Sequence, residues 1–194
     1  MPEIEALKLI GNTPMLHLKT LDPKPGVEIH AKLEFLNPTG SYKDRIIAYI
    51  VQKSIESGKI TDNTTIVEGS SGNTGASVAM VASSMGLKSK IFVPDKCSDE
   101  KAAIIRSYGA EVTVIDVPES YEAAAAQKGK EDENYYHIDQ YNNPLNPEAH
   151  YMTIGKEIWE DMNGEIDAFV ATASTGGAIS GIARRLKEND PSIR

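Results

Sequence analysis

The sequence predicts an α/β protein in which helices cover a parallel or mixed sheet. Three observations lead to this class: strand-like and helix-like segments alternate, glycine follows the end of several predicted helices, and polar loops follow predicted strands. The chain has 194 residues, which is enough to bury a substantial core. With 40% hydrophobic and 25% charged residues, it is predicted to be globular rather than disordered.

The first helix is predicted to begin at Asp44 and to end before Gly58, which stands where a left-handed cap is expected. Its apolar residues recur at helical spacing: Ile46, Ile47, Ile50, Val51 and Ile55. Thr64–Val67 then reads as a short buried strand. The polar loop Gly69–Gly75 separates this strand from a helix of small residues, Ala76–Met85.

The next unit repeats this order of strand, loop and helix. Lys90–Pro94 reads as a strand, and Ser98 is placed to cap a helix that runs through Tyr108 and that Gly109 ends. The alternating segment Glu111–Ile115 is the strand that follows.

An alanine-rich helix, Glu119–Glu131, and a short strand, Tyr135–Ile138, complete the regular part of the pattern. The stretch Asn142–Pro147 is rich in proline and asparagine, so we place a boundary between two lobes there. Beyond it the sequence predicts a helix, a strand and a last helix: Met152–Met162, Ala168–Thr172 and Ala178–Glu188.

Charge and composition exclude several classes of function. A net charge of −8 and an isoelectric point near 5.1 argue against nucleic-acid binding, which needs clustered basic residues. The one cysteine, Cys97, forms no disulfide within the chain. The histidines lie far apart in the sequence without ligand-like spacing, so we expect no metal site; they are His17, His30, His137 and His150. The absence of a signal-like start or a long apolar run predicts a cytoplasmic protein without membrane contact.

The first of three candidate functional loops is Asn37–Arg45, in which Lys43 precedes a predicted helix. The positive end of the helix dipole and the nearby Arg45 would lower the pKa of the Lys43 amine and make it a nucleophile. The alternative is a solvated lysine in the first turn of a helix. Position alone does not decide between the two.

Two further loops are suited to anions. Gly69–Gly75 offers hydroxyls, an amide and backbone N–H groups directly before a helix, a setting that suits a carboxylate or phosphate, although a tight turn explains it equally well. Ser174–Ala178 joins the predicted strand Ala168–Thr172 to the last helix and has the character of a phosphate cradle. Neither loop fits a nucleotide-binding motif, and no acid–base pair or metal cluster stands out. A phosphorylated aldehyde cofactor would use all three loops, with Lys43 as its Schiff base.

Five motifs in order resemble the cysteine synthase and cystathionine β-synthase family of pyridoxal 5'-phosphate enzymes. They are Ile10–Pro14, Asn37–Arg45, Ser70–Gly75, Gln140 with Asn142–Pro147, and Thr175–Gly177. The resemblance implies the two-lobed fold of fold type II enzymes, which is like that of tryptophan synthase β. It also implies a smaller α/β lobe at 42–143, a partial larger lobe made of 1–41 and 144–194, and a homodimer.

The resemblance also assigns site residues. Lys43 would be joined to the cofactor aldehyde, and Asn73 would hydrogen-bond the phenolic oxygen of the ring. The substrate carboxylate would lie against the second loop and a glutamine: Ser70, Ser71, Gly72, Thr74 and Gln140. The phosphate would lie in the glycine turn: Ser174, Thr175, Gly176, Gly177 and Ala178.

The reaction that the resemblance implies is β-replacement on O-acetylserine or serine, with sulfide or a thiol as the nucleophile, giving cysteine or cystathionine. The block Asp139–Tyr151 favours this branch over a serine/threonine dehydratase, which carries out β-elimination. Ser174 and Ala178 depart from the usual Gly-Thr-Gly-Gly-Thr turn, so we expect weaker cofactor binding. Family chains continue well past the last helix, so this chain is expected to be a fragment, or else a short subunit that a partner completes. A non-catalytic chain is the remaining alternative.

Overall fold

The computed structural model describes residues 5–116 and 120–194. Near the N-terminus an antiparallel ribbon forms from β1 (Met15–His17) and β2 (His30–Lys32). Its register pairs His17 with His30, so the expectation that the histidines lie apart is wrong for these two. The contact cannot be seen from the sequence spacing, because it depends on the segment between the two strands folding back so that they pair.

A four-stranded parallel sheet lies at the centre of the fold, with strand order β5-β4-β3-β6. The strands are β3 (Thr65–Gly69), β4 (Lys88–Pro94), β5 (Glu111–Ile115) and β6 (Tyr135–His137). The predicted parallel sheet is thus confirmed, and the bounds of β5 agree with the alternating pattern. In the middle strand β3 consecutive apolar side chains face opposite sides of the sheet, and both sides are covered by helices.

Four helices cover this sheet. They are α1 (Lys43–Glu56), α2 (Asn73–Ser84), α3 (Asp99–Ser107) and α4 (Tyr121–Glu131). α1, α2 and α3 share one large apolar core with Ile66 and Ile91 of the sheet. α4 packs on the opposite face, where Ala125 meets Val67 and Phe92. The predicted first residue of α4, Glu119, lies outside the described residues.

The loop before α2 is shorter than the sequence predicts. Gly69 belongs to β3 rather than to the loop, and α2 begins at Asn73 instead of Ala76. Gly75 is buried inside this first turn, where a Cβ would meet the Ser70 carbonyl oxygen at 2.7 Å. The glycine that suggests a loop is therefore required by close packing of the helix start.

Three helices follow β6, and they are α5 (Leu145–Met152), α6 (Ile154–Asp161) and α7 (Gly177–Asn189). α6 and α7 share a second apolar cluster that includes Ile158 and Leu186. The helix predicted at Met152–Met162 corresponds to α6, but its start is wrong, because Thr153 has φ −113° and ψ −92° and separates α6 from the preceding α5. The Thr153 hydroxyl donates to the Ala149 carbonyl at 2.7 Å, a local bond that competes with continuation of the helix.

The strand predicted at Ala168–Thr172 is also wrong. Within the described residues this segment pairs with another only at the Arg194 backbone, which accepts from Phe169 N–H at 2.9 Å and donates to the Asp167 carbonyl at 3.0 Å. A β-strand needs a series of backbone hydrogen bonds to a neighbouring strand, and the two bonds to Arg194 are too few. Val170, whose apolar character suggests a buried strand, is 90% exposed.

No helix among the described residues combines the length and the apolar character needed to cross a membrane.

Candidate active site

Lys43 is the first residue of α1, which begins one residue before the predicted start at Asp44. Its backbone N–H donates to the Ser41 hydroxyl at 3.2 Å, and its half-buried side chain places Nζ 4.3 Å from the centre of the Tyr42 ring. In the described part of the chain no carboxylate pairs with this amine. The amine is therefore available to react with an aldehyde.

Asp44 fixes the start of α1 against α2. Its carboxylate is fully buried and accepts from the Thr39 backbone N–H at 2.8 Å, the Thr39 hydroxyl at 2.5 Å and the Ser77 hydroxyl at 2.5 Å. Ser77 lies one turn into α2, so its bond connects the lysine loop to the helix that follows the second candidate loop, while the two bonds from Thr39 lie within the lysine loop. Sequence reasoning missed this residue, since a first-turn acid reads as a solvated one.

Arg45 has a different role from the one expected from its position, which was to lower the pKa of Lys43. The guanidinium is buried and forms ion pairs with Glu34 at 2.7 Å and with Glu157 at 2.6 Å. The carboxylates of Glu34 and Glu157 neutralise the guanidinium charge. Arg45 therefore stabilises the fold instead of acting on Lys43. The expectation that Arg45 activates Lys43 receives no support from this arrangement.

The second loop ends at a helix without a side-chain cap. Gly72 stands in the cap position of α2, and no side chain accepts from the first N–H groups of the helix. α3 and α4 differ, since Ser98 and Ser120 cap them. Unsatisfied N–H groups at a helix start favour an anion from outside the chain. The Ser70 hydroxyl accepts from Gly72 N–H at 3.2 Å, which leaves its own proton to donate.

A buried hydrogen-bond chain connects the second and third loops. The Thr74 hydroxyl donates to Oε1 of Gln140 at 2.7 Å, and the Asn146 amide donates to the Gln140 carbonyl at 2.7 Å and to the Thr175 hydroxyl at 3.1 Å. With its oxygen occupied by Thr74, Gln140 keeps its amide N–H groups for a ligand. These residues lie far apart in sequence, and the fold brings them together.

The third loop forms the start of α7. Gly176 has φ +80°, a conformation that favours glycine, and it occupies the cap position of α7 without a side-chain cap. A Cβ on Gly177 would lie 2.0 Å from Oδ1 of Asn146, so only glycine fits there. Oδ1 of Asn146 is itself buried without a partner.

The three loops do not contribute equally to one cleft. A surface cleft of about 400 Å³ is lined by Gln140, Asn146 and the turn Thr175–Gly177. Thr74 reaches this group through Gln140. The side chains of Ser71, Asn73 and Ser174 form no hydrogen bond within the described residues, and both Asn73 and Ser174 are exposed. Their assigned contacts stay predictions.

His150, which the sequence gives no reason to single out, is buried between Lys43 and α7. Its ring meets Tyr42 edge to face at 5.2 Å, and its Cβ lies 2.9 Å from where a Cβ on Gly181 of α7 would be. Burial and the nearby charges of Lys43 and Arg45 lower the pKa of His150 from 6.5 to about 3. Neither ring nitrogen has a hydrogen-bond partner among residues 5–116 and 120–194. The imidazole is therefore neutral at physiological pH.

Comparison with known proteins connects this geometry to a family. The family model described as "Pyridoxal-phosphate dependent enzyme" matches residues 6–194. The chain is 43% identical over 202 residues to a cystathionine beta-synthase of Apis mellifera, covering all of this chain and 40% of that protein. It is 40% identical over 190 residues to an O-acetylserine dependent cystathionine beta-synthase of Bacillus subtilis, covering 96% of this chain and 62% of that protein.

A solved structure shows the same fold. The cysteine synthase of Entamoeba histolytica matches with a TM-score of 0.91 and 32% identity, over 100% of this chain and 60% of that chain. The predicted α/β fold of the type II enzymes is thus confirmed. The chain spans about two fifths to three fifths of the length of these relatives.

Proposed function

The chain belongs to the family of pyridoxal-phosphate dependent enzymes, and on that basis we propose that the complete protein catalyses β-replacement on an amino acid. The substrate is an activated serine, either O-acetylserine or serine itself. Sulfide or a thiol enters, and the product is cysteine or cystathionine. The names of the relatives, cystathionine beta-synthase and cysteine synthase, support this choice of reaction.

The observation that carries the proposal is the hydrogen-bond chain from Thr74 through Gln140 and Asn146 to Thr175. It joins the loop assigned to the substrate carboxylate to the turn assigned to the phosphate. An enzyme that holds an amino acid against a phosphorylated cofactor needs these two anion sites at a fixed separation.

The residues present fit pyridoxal 5'-phosphate. The uncapped start of α7, the left-handed Gly176 and the absence of room for a Cβ on Gly177 make a cradle of backbone N–H groups for a phosphate. Ala178 removes the hydroxyl that the family's usual threonine supplies, and the exposed Ser174 offers one on the other side of the turn. When bound, the cofactor supplies an aldehyde for a lysine amine and a ring that withdraws electrons from the substrate α-carbon.

The chain's own residues then have separate tasks. Nζ of Lys43 would hold the cofactor aldehyde until the substrate amine displaces it, and the freed Lys43 amine would then take the proton from the substrate α-carbon and later return it. The amide of Gln140, the hydroxyls of Ser70 and Ser71, and the backbone N–H of Thr74 bind the substrate carboxylate at the start of α2, where the helix dipole favours a negative charge. Asn73 orients the ring through its phenolic oxygen.

The bond from Ser77 to Asp44 joins the starts of α1 and α2, and the two bonds from Thr39 fix the loop before α1, so the lysine and the carboxylate site keep their relative position. We assign residues 42–143 to a smaller lobe and residues 1–41 with 144–194 to part of a larger one. Separate apolar cores, one around the sheet and one between α6 and α7, support this division. We also propose that the complete protein is a cytoplasmic homodimer, to be checked by light scattering and by cell fractionation.

The first experiment tests cofactor attachment. Borohydride reduction of the chain after incubation with pyridoxal 5'-phosphate should attach the cofactor to Lys43, as located by peptide mass spectrometry. The Lys43→Ala variant should show neither this adduct nor the visible absorption band. The matched control Lys59→Ala removes an exposed lysine and should keep both. Attachment at other lysines only would refute the proposal.

The second experiment tests the reaction, and it uses the complete protein. With O-acetylserine and sulfide, the expected product is cysteine, and with a thiol it is the thioether. Release of a keto acid and ammonia at the same rate with and without sulfide would identify a dehydratase instead. No consumption of either amino acid by cofactor-loaded protein would support a non-catalytic chain.

A further inference from the structure

Two histidines and a glutamate converge on one face of the β1–β2 ribbon, outside the candidate active site. They are His17, Glu28 and His30. We propose that these three side chains bind a divalent transition-metal ion such as Zn²⁺. They are the one group of three or more metal-type donors in the described residues.

The strand register explains why the three side chains meet. His17 and His30 are direct partners across the antiparallel ribbon, so their side chains point to the same face. Glu28 precedes His30 by two residues and therefore shares that face. The two imidazole rings stack with their centres 4.7 Å apart and their planes 13° apart.

The donor set and its spacing suit zinc. One ligand atom from each of the three residues lies within 4.8 Å of the others. Zinc bonds of about 2.0 Å to nitrogen and oxygen in a tetrahedral site place ligand atoms about 3.3 Å apart. Small side-chain rotations close this difference, because the side chains are partly exposed and not confined by a core. Imidazole nitrogen with carboxylate oxygen is a donor set that zinc, nickel and copper share.

Neighbouring groups orient the ligands in advance. Oδ2 of Asp22 lies 2.9 Å from Nε2 of His17, while Oδ1 accepts from the Ile29 backbone N–H at 2.9 Å. We assign Asp22 the part of an orienting partner, since a carboxylate that holds the ring of a metal-bound histidine is a recurrent arrangement. Oε2 of Glu28 lies 2.9 Å from Nε2 of His30, a contact that a metal ion bound between the two groups would replace.

Charge also favours a cation at this point. Asp22 and Glu28 bring two carboxylates within hydrogen-bond distance of the two imidazoles, so acceptor oxygens surround the point where a divalent ion would lie. The competing explanation is a pair of independent histidine–carboxylate contacts on the surface, which binds no metal.

The test titrates the metal-free full chain with ZnCl₂ by calorimetry and with CoCl₂ by visible absorption, without cofactor or substrate. We expect one Zn²⁺ per chain and a Co²⁺ absorption band typical of a site with fewer than six ligands. His17→Ala, His30→Ala and Glu28→Gln should each weaken zinc binding at least about tenfold. The matched control His137→Gln removes a histidine from β6 and should leave binding unchanged.

Two outcomes would overturn the proposal. One is the absence of saturable binding up to millimolar zinc. The other is binding that the His17→Ala/His30→Ala double variant retains at full strength. Far-UV circular dichroism shows whether each variant is folded. If a histidine variant fails to fold, the zinc affinity of Glu28→Gln still tests the site. Neither readout depends on catalytic activity, so failure of the proposed reaction leaves this test intact.

Discussion

Replacing Glu68 by glutamine should make the protein more stable at neutral pH and less sensitive to pH. Glu68 is 2% exposed, at the end of β3 where the second candidate loop begins. Its Oε1 accepts from Gly69 N–H at 3.0 Å, and its Oε2 is buried without a partner. Burial raises the pKa of the carboxyl from 4.5 to about 7, with a further contribution from the charge of Asp139.

The size of the effect follows from proton linkage. Between pH 4.5 and 7 the folded protein keeps a proton that the unfolded chain loses, so the free energy of unfolding falls as pH rises through this range. About 2.5 pH units at about 1.4 kcal/mol each give about 3 kcal/mol as the largest loss. Burial lowers the pKa of His137, which lies 3.9 Å away, so its imidazole is neutral at neutral pH and does not offset this loss.

The measurement is urea denaturation at pH 5, 6, 7 and 8, followed by the fluorescence of Trp159 and by circular dichroism. The wild type and Glu68→Gln should differ little at pH 5, and the variant should become more stable by up to about 3 kcal/mol at pH 8. Glu165→Gln, at an exposed position, is the matched control and should follow the wild type. A difference between wild type and Glu68→Gln that stays constant with pH would refute the reasoning.

Three further substitutions test other parts of the structure by urea denaturation. Gly177→Ala should cost about 1–3 kcal/mol and weaken cofactor binding, because the added Cβ would lie 2.0 Å from Oδ1 of Asn146. Arg45→Met should cost about 3 kcal/mol at pH 7, because it leaves the partly buried carboxylates of Glu34 and Glu157 without the guanidinium that pairs with both. Burial opposes ionisation of Glu157, but the hydrogen bonds from Arg45 outweigh it and lower the pKa of Glu157 to about 2, so the wild type should lose stability from pH 4.5 towards 2 and the variant should lose less. Ser120→Ala should cost about 1 kcal/mol, because the serine hydroxyl accepts from Ala123 N–H at 3.2 Å.

Each of these has an outcome that contradicts it. An unchanged urea midpoint for Gly177→Ala would mean that Asn146 does not lie against the turn. Equal loss of stability in acid for the wild type and Arg45→Met would mean that the ion pair does not form. If Ser120→Ala matches the wild type, α4 begins elsewhere than at Tyr121.

Local features of the sequence predict those elements whose signals are themselves local. β5 agrees with the prediction because Glu111–Ile115 alternates shortly after the glycine that ends α3, and α3 agrees because Ser98 caps it. Ala168–Thr172 reads as a strand for equally good local reasons, but a strand also needs a neighbour, and the described residues supply only Arg194. The local sequence pattern favours a strand there, but no neighbouring strand pairs with it, so the segment is not a strand.

The candidate site shows the same division. The motifs identify Lys43, Gln140 and the glycine turn as a set, because their order along the chain carries the family resemblance. The contacts that position them, from Asp44 to Ser77 and from Asn146 to Thr175, join residues 29 to 33 positions apart. No periodicity of a helix or strand reports such pairs, so only the folded structure reveals them. The register of the ribbon, which brings His17 to His30, is a further case.

The uncapped starts of α2 and α7 have a practical consequence for anyone who handles this protein. Inorganic phosphate and sulfate are anions with acceptor oxygens, like the groups we assign to these helix ends, so they compete for them. Buffer choice thus becomes part of every titration: in phosphate or ammonium sulfate the apparent affinity for cofactor should fall, whereas in a sulfonate zwitterion such as Hepes it should approach its intrinsic value. Crystallisation from sulfate should, for the same reason, leave an oxyanion against Gly176.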